Sequence, residues 1–119
     1  MTLKDFKSSL LQSKPPDYLN NLLLALWYDA KGDVSADPSR RRLAEADKAG
    51  GEAGWDKAHK IAQDINDSNG AWIHAYLHRK EGDESNASYW YSHAGRKFSN
   101  LSLEEEWDEI AEAMLKIQK

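Results

Sequence analysis

The feature that most constrains the fold is a short phrase that occurs twice in this chain of 119 residues. Residues 27–33 read WYDAKGD and residues 77–83 read LHRKEGD. Each phrase closes an apolar stretch of helical periodicity with Gly-Asp, and a glycine just after the last periodic residue is a typical helix stop. The repetition predicts two helical hairpins of similar design, with Gly32 and Gly82 ending the first helix of each.

Apolar residues recur at three- and four-residue spacing through most of the chain, as they do on the buried face of an amphipathic helix. No segment alternates apolar and polar residues for long enough to predict a strand. We therefore expect a single all-α domain over residues 1–119. Capping boxes at 2–5 and 102–105 mark two helix starts. The predicted helices are 3–13, 17–31, 55–66, 70–81, 84–95 and 103–117.

Residues 34–54 differ from the rest, because they are rich in glycine and arginine and contain no aromatic residue until Trp55. We expect a surface insertion here, with at most a short exposed helix from Arg40 to Lys48. With the insertion set aside, two antiparallel hairpins remain, and the first and last predicted helices cap them at both ends. The hairpins pair 17–31 with 55–66 and 70–81 with 84–95.

Composition excludes several classes of function. The chain has no cysteine, so disulfides, thiolate catalysis and cysteine-based zinc sites are ruled out, and a reducing cytoplasm is the expected compartment. It has no apolar run of membrane-spanning or signal-peptide length, so we expect no membrane association. The net charge is −4, and the acidic excess lies in residues 101–119. That distribution argues against nucleic-acid binding and is typical of acids complementing a helix dipole.

The second hairpin carries a recognisable set of small, turn and aromatic positions at Ala75, Gly82, Ala87, Tyr91 and Ala94. This pattern resembles tetratricopeptide-type (Sel1-like) repeats, and the resemblance extends over residues 17–95. The first copy departs from it, with Ala62 and Ile65 at the last two positions. Residues 70–83 and 89–91 also resemble a family of short proteins, and that second resemblance implies no activity.

The tetratricopeptide resemblance implies an interaction module whose first helices line a groove for a protein or peptide partner. Aromatic and arginine side chains on one surface are typical of a binding hot spot. Two alternatives stay open: a terminal helix covers the groove, or exposed aromatic residues drive self-association. Carried onto this chain, the groove residues are Leu22, Leu26, Asp29, Trp72, Tyr76, Arg79 and Lys80.

A second hypothesis is a metal or small-ligand site centred on His74 and His78. Their i, i+4 spacing puts both imidazoles on one helix face, where they could ligate one divalent metal ion. Packing is the alternative, since the repeat aligns these positions with Leu24 and Tyr28. No phosphate loop, nucleophile elbow or other catalytic motif is present, so we expect a binding protein more than an enzyme. A third ligand would come from His59, Asp64 or His93.

Overall fold

The computed structural model describes residues 1–34 and 54–117. Every regular element within these ranges is a helix, which confirms the all-α prediction. None of the helices in this part of the chain is long and apolar enough to cross a membrane. The predicted insertion, including the short helix from Arg40 to Lys48, lies outside the described residues apart from its two ends. The helices are α1 (Leu3–Ser9), α2 (Asn21–Val34), α3 (Gly54–Gln63), α4 (Ser68–Lys80), α5 (Glu84–His93) and α6 (Leu103–Ile117).

Local capping bonds set several helix starts. The predicted box at 2–5 forms and opens α1. At the start of α6, the N–H of Glu105 donates to Ser102 Oγ at 3.1 Å and the N–H of Ser102 donates to Glu105 Oε1 at 3.3 Å. Helix α2 begins later than residue 17, because Asn20 Oδ1 accepts the N–H of Leu23 at 2.9 Å and so caps the helix at that point.

The two Gly-Asp phrases do not behave alike. Gly82 has φ +88° and stops α4 as predicted, and Gly95 with φ +70° follows α5 in the same way. The prediction that Gly32 ends the first helix is wrong, since α2 continues to Val34. Glycine permits the left-handed conformation without requiring it. Inside a helix it costs only about 1 kcal/mol relative to alanine, which continued backbone hydrogen bonding offsets.

Two helical hairpins form the body of the molecule. Helix α2 packs against α3, α4 packs against α5, and α3 also packs against α4, which joins the hairpins. Helix α6 lies across α2 and α4, while α1 packs against α6. Burial of one large apolar side chain contributes roughly 1.5–3 kcal/mol. Side chains from the helices described share one core, whose largest apolar members include Phe6, Leu23, Leu26, Trp27, Ile73, Leu77, Tyr91, Ile110 and Met114.

Candidate metal centre

Three histidines meet where α3 packs against α4. His74 and His78 lie one turn apart on α4, and His59 belongs to α3. The Nε2 atoms of His59 and His74 are 2.8 Å apart. One ligand nitrogen from each of the three residues lies within 4.8 Å of the other two. The histidine pair singled out in the sequence therefore has a third nitrogen donor beside it.

The structure distinguishes among the three residues considered as a third ligand. His59 joins the group, whereas Asp64 and His93 do not belong to it among the described residues. The ring of His93 lies 4.5 Å from the ring of Tyr89 and 5.4 Å from that of Trp90. Asp64 follows directly after the end of α3.

The tight connection between α3 and α4 positions the site. Asp67 caps α4, with its Oδ1 accepting the N–H of Gly70 at 2.9 Å. Gly70 packs directly on Ile65, so that a Cβ at this position would lie 2.7 Å from Ile65 Cβ. Towards the other end of α4, the indole N–H of Trp55 donates to the carbonyl of Leu77 at 2.8 Å. These contacts tie α3 to α4 at both ends and hold the histidines opposite one another.

The imidazole rings have a defined mutual orientation. His74 and His78 stack with centroids 4.8 Å apart, and the ring of His59 is nearly perpendicular to both. Two tryptophans flank them: Trp55 stacks on His59 at 4.9 Å and Trp90 on His74 at 3.9 Å. Sequence reasoning missed both flanking roles. The i, i+4 spacing of Trp55 and His59 was a usable signal, whereas Trp90 lies on another helix and gave none.

The environment keeps the inner histidines neutral. His74 is 5% exposed, and its burial, together with the neighbouring His59 and His78, lowers its pKa from 6.5 to about 4. Burial and the proximity of His78 also lower the pKa of His59. Neutral imidazole is the form that binds metal ions, because a protonated ring nitrogen has no lone pair to donate. Both rings are therefore neutral at neutral pH, and each can present Nε2 to a metal ion in the tautomer that carries its proton on Nδ1.

A carboxylate orients the third ring. Nδ1 of His78 lies 2.6 Å from Oε1 of Glu81, one turn further along the chain. When Nδ1 carries the proton and donates it to Glu81, Nε2 of His78 has a free lone pair. Metal-ligating histidines almost always have such a partner on the other ring nitrogen. Sequence reasoning missed Glu81, although its i, i+3 spacing from His78 was visible.

One pair of ligand nitrogens is slightly closer than a bound metal ion would set it, and the third nitrogen lies within 4.8 Å of both. Two nitrogens bound to a tetrahedral Zn²⁺ at about 2.0–2.1 Å stand about 3.3 Å apart. The Nε2 atoms of His59 and His74 are 2.8 Å apart, a hydrogen-bonding distance. For a metal ion to bind here, the proton on one Nε2 would move to Nδ1 of the same ring, and the two Nε2 atoms would separate by about half an ångström.

The groove predicted between the helices 17–31 and 70–81 is filled by the C-terminal helix. The indole N–H of Trp107 on α6 donates to the carbonyl of Leu26 at 3.2 Å. Lys80 forms an ion pair with Asp29 at 3.0 Å. An open peptide groove is therefore not what these residues form. The side chains of Leu22, Leu26, Asp29, Trp72 and Tyr76 are buried, and those of Arg79 and Lys80 are partly exposed.

A buried glutamate anchors α6 over that groove. Glu106 is fully buried and accepts hydrogen bonds from Trp72 Nε1 at 3.2 Å, Arg79 NH1 at 2.9 Å and the Tyr91 hydroxyl at 2.5 Å. Burial and the Glu106 carboxylate raise the pKa of Tyr91, which keeps its hydroxyl a donor. The sequence pattern suggested acids complementing a helix dipole and a terminal helix covering the groove, but it did not single out Glu106. The spacing of Glu106 from Leu103 and Ile110 placed it within the apolar stripe of α6.

Comparisons of this chain with protein-family models, with curated proteins and with solved structures gave no match. The resemblance to tetratricopeptide-type repeats stays a prediction. The function has to be inferred from the side chains themselves.

Proposed function

We propose that this protein binds one divalent transition-metal ion through His59, His74 and His78. What supports the proposal is the 2.8 Å approach of two Nε2 atoms from different helices, with a third imidazole in the same group. A nitrogen-only donor set suits Zn²⁺, Cu²⁺, Ni²⁺ or Co²⁺ better than the oxygen-seeking Mg²⁺ and Ca²⁺. The carboxylate of Glu81 on His78 supplies the outer partner that such sites use.

Burial of this group also favours a ligand role over simple packing. Two neutral imidazoles can satisfy each other with a single hydrogen bond, as His59 and His74 do. The third ring adds no further hydrogen bond to that pair. His78 instead uses Nδ1 for Glu81, which leaves its Nε2 as an additional donor atom for a metal. The three imidazoles therefore have more electron-pair donors than the residues described in the structure use.

The interaction role stays a prediction. A partner that used the residues between α2 and α4 would first have to displace α6. Displacement would break the hydrogen bond from Trp107 to Leu26 and the three hydrogen bonds to Glu106. The contacts of the histidine cluster require no such rearrangement, and for that reason we place the function there.

Zinc titration by calorimetry tests the proposal, with untagged protein stripped of metal. We expect one Zn²⁺ per chain. His59→Ala should weaken binding by more than the roughly 10- to 100-fold that loss of an outer partner costs. His59 is partly exposed, so this substitution should leave the fold intact. His93→Ala, a histidine outside the group, is the matched control and should bind as the wild type does. Equal zinc affinity of His59→Ala and the wild type would contradict the proposal.

A further inference from the structure

The histidine cluster offers three protein ligands to an ion that commonly takes four. Structural Zn²⁺ sites are closed by four protein side chains, whereas sites that act on exogenous molecules use three and leave one position open. Within the described ranges, no further histidine or carboxylate is close to all three of these residues, and the carboxylates of Glu81 and Asp83 group with His78 alone. The donor count of this site is therefore that of an open site.

Exposure is uneven around the cluster and leaves one side accessible. His74 is 5% exposed and is covered by the indole of Trp90, whose ring centroid lies 3.9 Å away. The side chain of His78 is 12% exposed, and His59 on α3 is partly exposed. Solvent therefore reaches the cluster from the side of His59 and His78, while on the other side Trp90 stacks over His74 and the two residues help to line a surface cavity.

The ring spacing is compatible with three imidazoles converging on one ion. The centroids of the three imidazoles form a nearly equilateral triangle, with sides of 4.5, 4.8 and 5.2 Å. A tetrahedral ion bound by three such donors lies to one side of the plane of their nitrogens, and its fourth position points away from all three. Because the three ligands are neutral, the ion keeps its full positive charge and attracts water or an anion to that position.

We propose that the metal ion held by His59, His74 and His78 keeps one coordination position for water and exchanges that water for small anions. This inference rests on the proposed metal-binding function. It extends that function from binding an ion to a Lewis-acid site at which one ligand of the ion is exchangeable. Metal ions in such sites polarise the ligand that they accept.

Cobalt substitution tests this inference, because the visible absorption of Co²⁺ reports its ligands and geometry directly. The metal-free protein is loaded with one equivalent of Co²⁺ and titrated with sodium azide. We expect a saturable change of the cobalt spectrum, with the same change in His93→Ala. His59→Ala should fail to give the protein-bound cobalt spectrum before azide is added, which assigns the signal to this cluster.

Two results would overturn the inference in distinguishable ways. A protein-bound cobalt spectrum that does not respond to azide would mean that a fourth protein side chain closes the site; the metal-binding function would then stand without the exchangeable position. Absence of any protein-bound cobalt spectrum in the wild type, together with absence of zinc binding by calorimetry, would overturn the metal-binding function itself and this inference with it.

Discussion

Helix α4 carries two buried polar clusters on opposite sides, and they differ in how fully their hydrogen-bonding capacity is used. Trp72 and Arg79 face α6 and donate to Glu106. His74 and His78 face α3 and His59. A separation of two residues is about 200° around a helix, which puts Trp72 and His74 on opposite faces. One helix therefore supports both an anchor for α6 and a candidate ligand site.

The two clusters differ in their balance of donors and acceptors. The carboxylate of Glu106 receives three hydrogen bonds, one of them from a guanidinium group, so its charge and lone pairs are compensated within the protein. The three imidazoles, in contrast, are electron-pair donors that lie close to each other. A single hydrogen bond, between His59 and His74, joins members of this group. A compensated network stabilises a fold, whereas an uncompensated donor set has capacity for an ion. Substitutions on the Glu106 side of α4 should therefore lower stability and leave metal affinity unchanged. Substitutions in the ligand site on the other side should lower metal affinity.

The largest expected effect is on stability, from removal of the buried carboxylate. Glu106→Ala would leave three donors without their acceptor and one of them, Arg79, charged. Breaking a buried ion pair from one side typically costs about 3–5 kcal/mol, so we expect a loss of that size in the free energy of unfolding measured with urea. Zinc binding, which depends on the opposite side of α4, should persist while the variant is folded.

The matched control for this prediction is Glu109→Ala. Glu109 lies on the same helix, and its carboxylate is 3.7 Å from Arg96 in an exposed pair. Exposed pairs contribute at most about 1 kcal/mol, so the control should unfold close to the wild type. If Glu106→Ala cost no more than Glu109→Ala, Glu106 would not be an anchor, and the contrast between the clusters would fail on its structural side.

The second prediction concerns pH and the metal-free protein. The pKa of His74 is about 4 in the folded protein, against an ordinary value of 6.5 that applies to the unfolded chain. Between these pH values the unfolded chain therefore binds more protons than the folded protein. Linkage then makes stability rise with pH in this window. Stability should be full above about pH 6.5, fall as the pH drops towards 4 and level off below. The total contribution of His74 is about 3 kcal/mol at most.

Urea unfolding at several pH values, with a chelator present, measures this dependence. His74→Leu should flatten it, because leucine cannot be protonated and an aliphatic residue fits a packing position. The lowered pKa of His59 acts in the same direction, so a smaller slope should remain. His93→Ala should keep the wild-type profile. An unchanged slope in His74→Leu would show that His74 is not held neutral by its surroundings.

Sequence patterns anticipated the features that depend on local bonds. The start of α6 follows from the hydrogen bonds between Ser102 and Glu105, which lie three residues apart. The stop at Gly82 follows from a conformation that glycine adopts freely. The prediction that Gly32 ends a helix failed because the same freedom also allows a helix to continue. Only the surrounding structure decides whether a glycine stops a helix or continues it.

The candidate site was predictable only in part. The i, i+4 spacing alone is enough to put His74 and His78 on one helix face. The choice among His59, Asp64 and His93 depends on how α3 and α5 pack against α4, and spacing along one helix does not encode that. Glu106 was difficult to predict for another reason: within a run of acidic residues, acidity alone does not show which one is buried. Its periodicity with the apolar residues of α6 was the better guide.

The smallest predicted effect isolates the outer partner of the site and bears directly on the contrast between the two clusters. Glu81→Gln keeps the shape of the side chain but removes the carboxylate that lies 2.6 Å from Nδ1 of His78. In a metal site this partner fixes the tautomer and raises the basicity of the ligand, so we expect zinc affinity to fall about 10- to 100-fold. Because the side chain of Glu81 is 38% exposed, stability of the metal-free protein should change by less than about 1 kcal/mol.

Glu84→Gln, a nearby exposed glutamate at the start of α5, is the control and should leave zinc affinity unchanged. A purely structural contact would give the reverse pattern, with zinc affinity intact and the free energy of unfolding lowered, and the histidine side of α4 would then be an anchor like the Glu106 side.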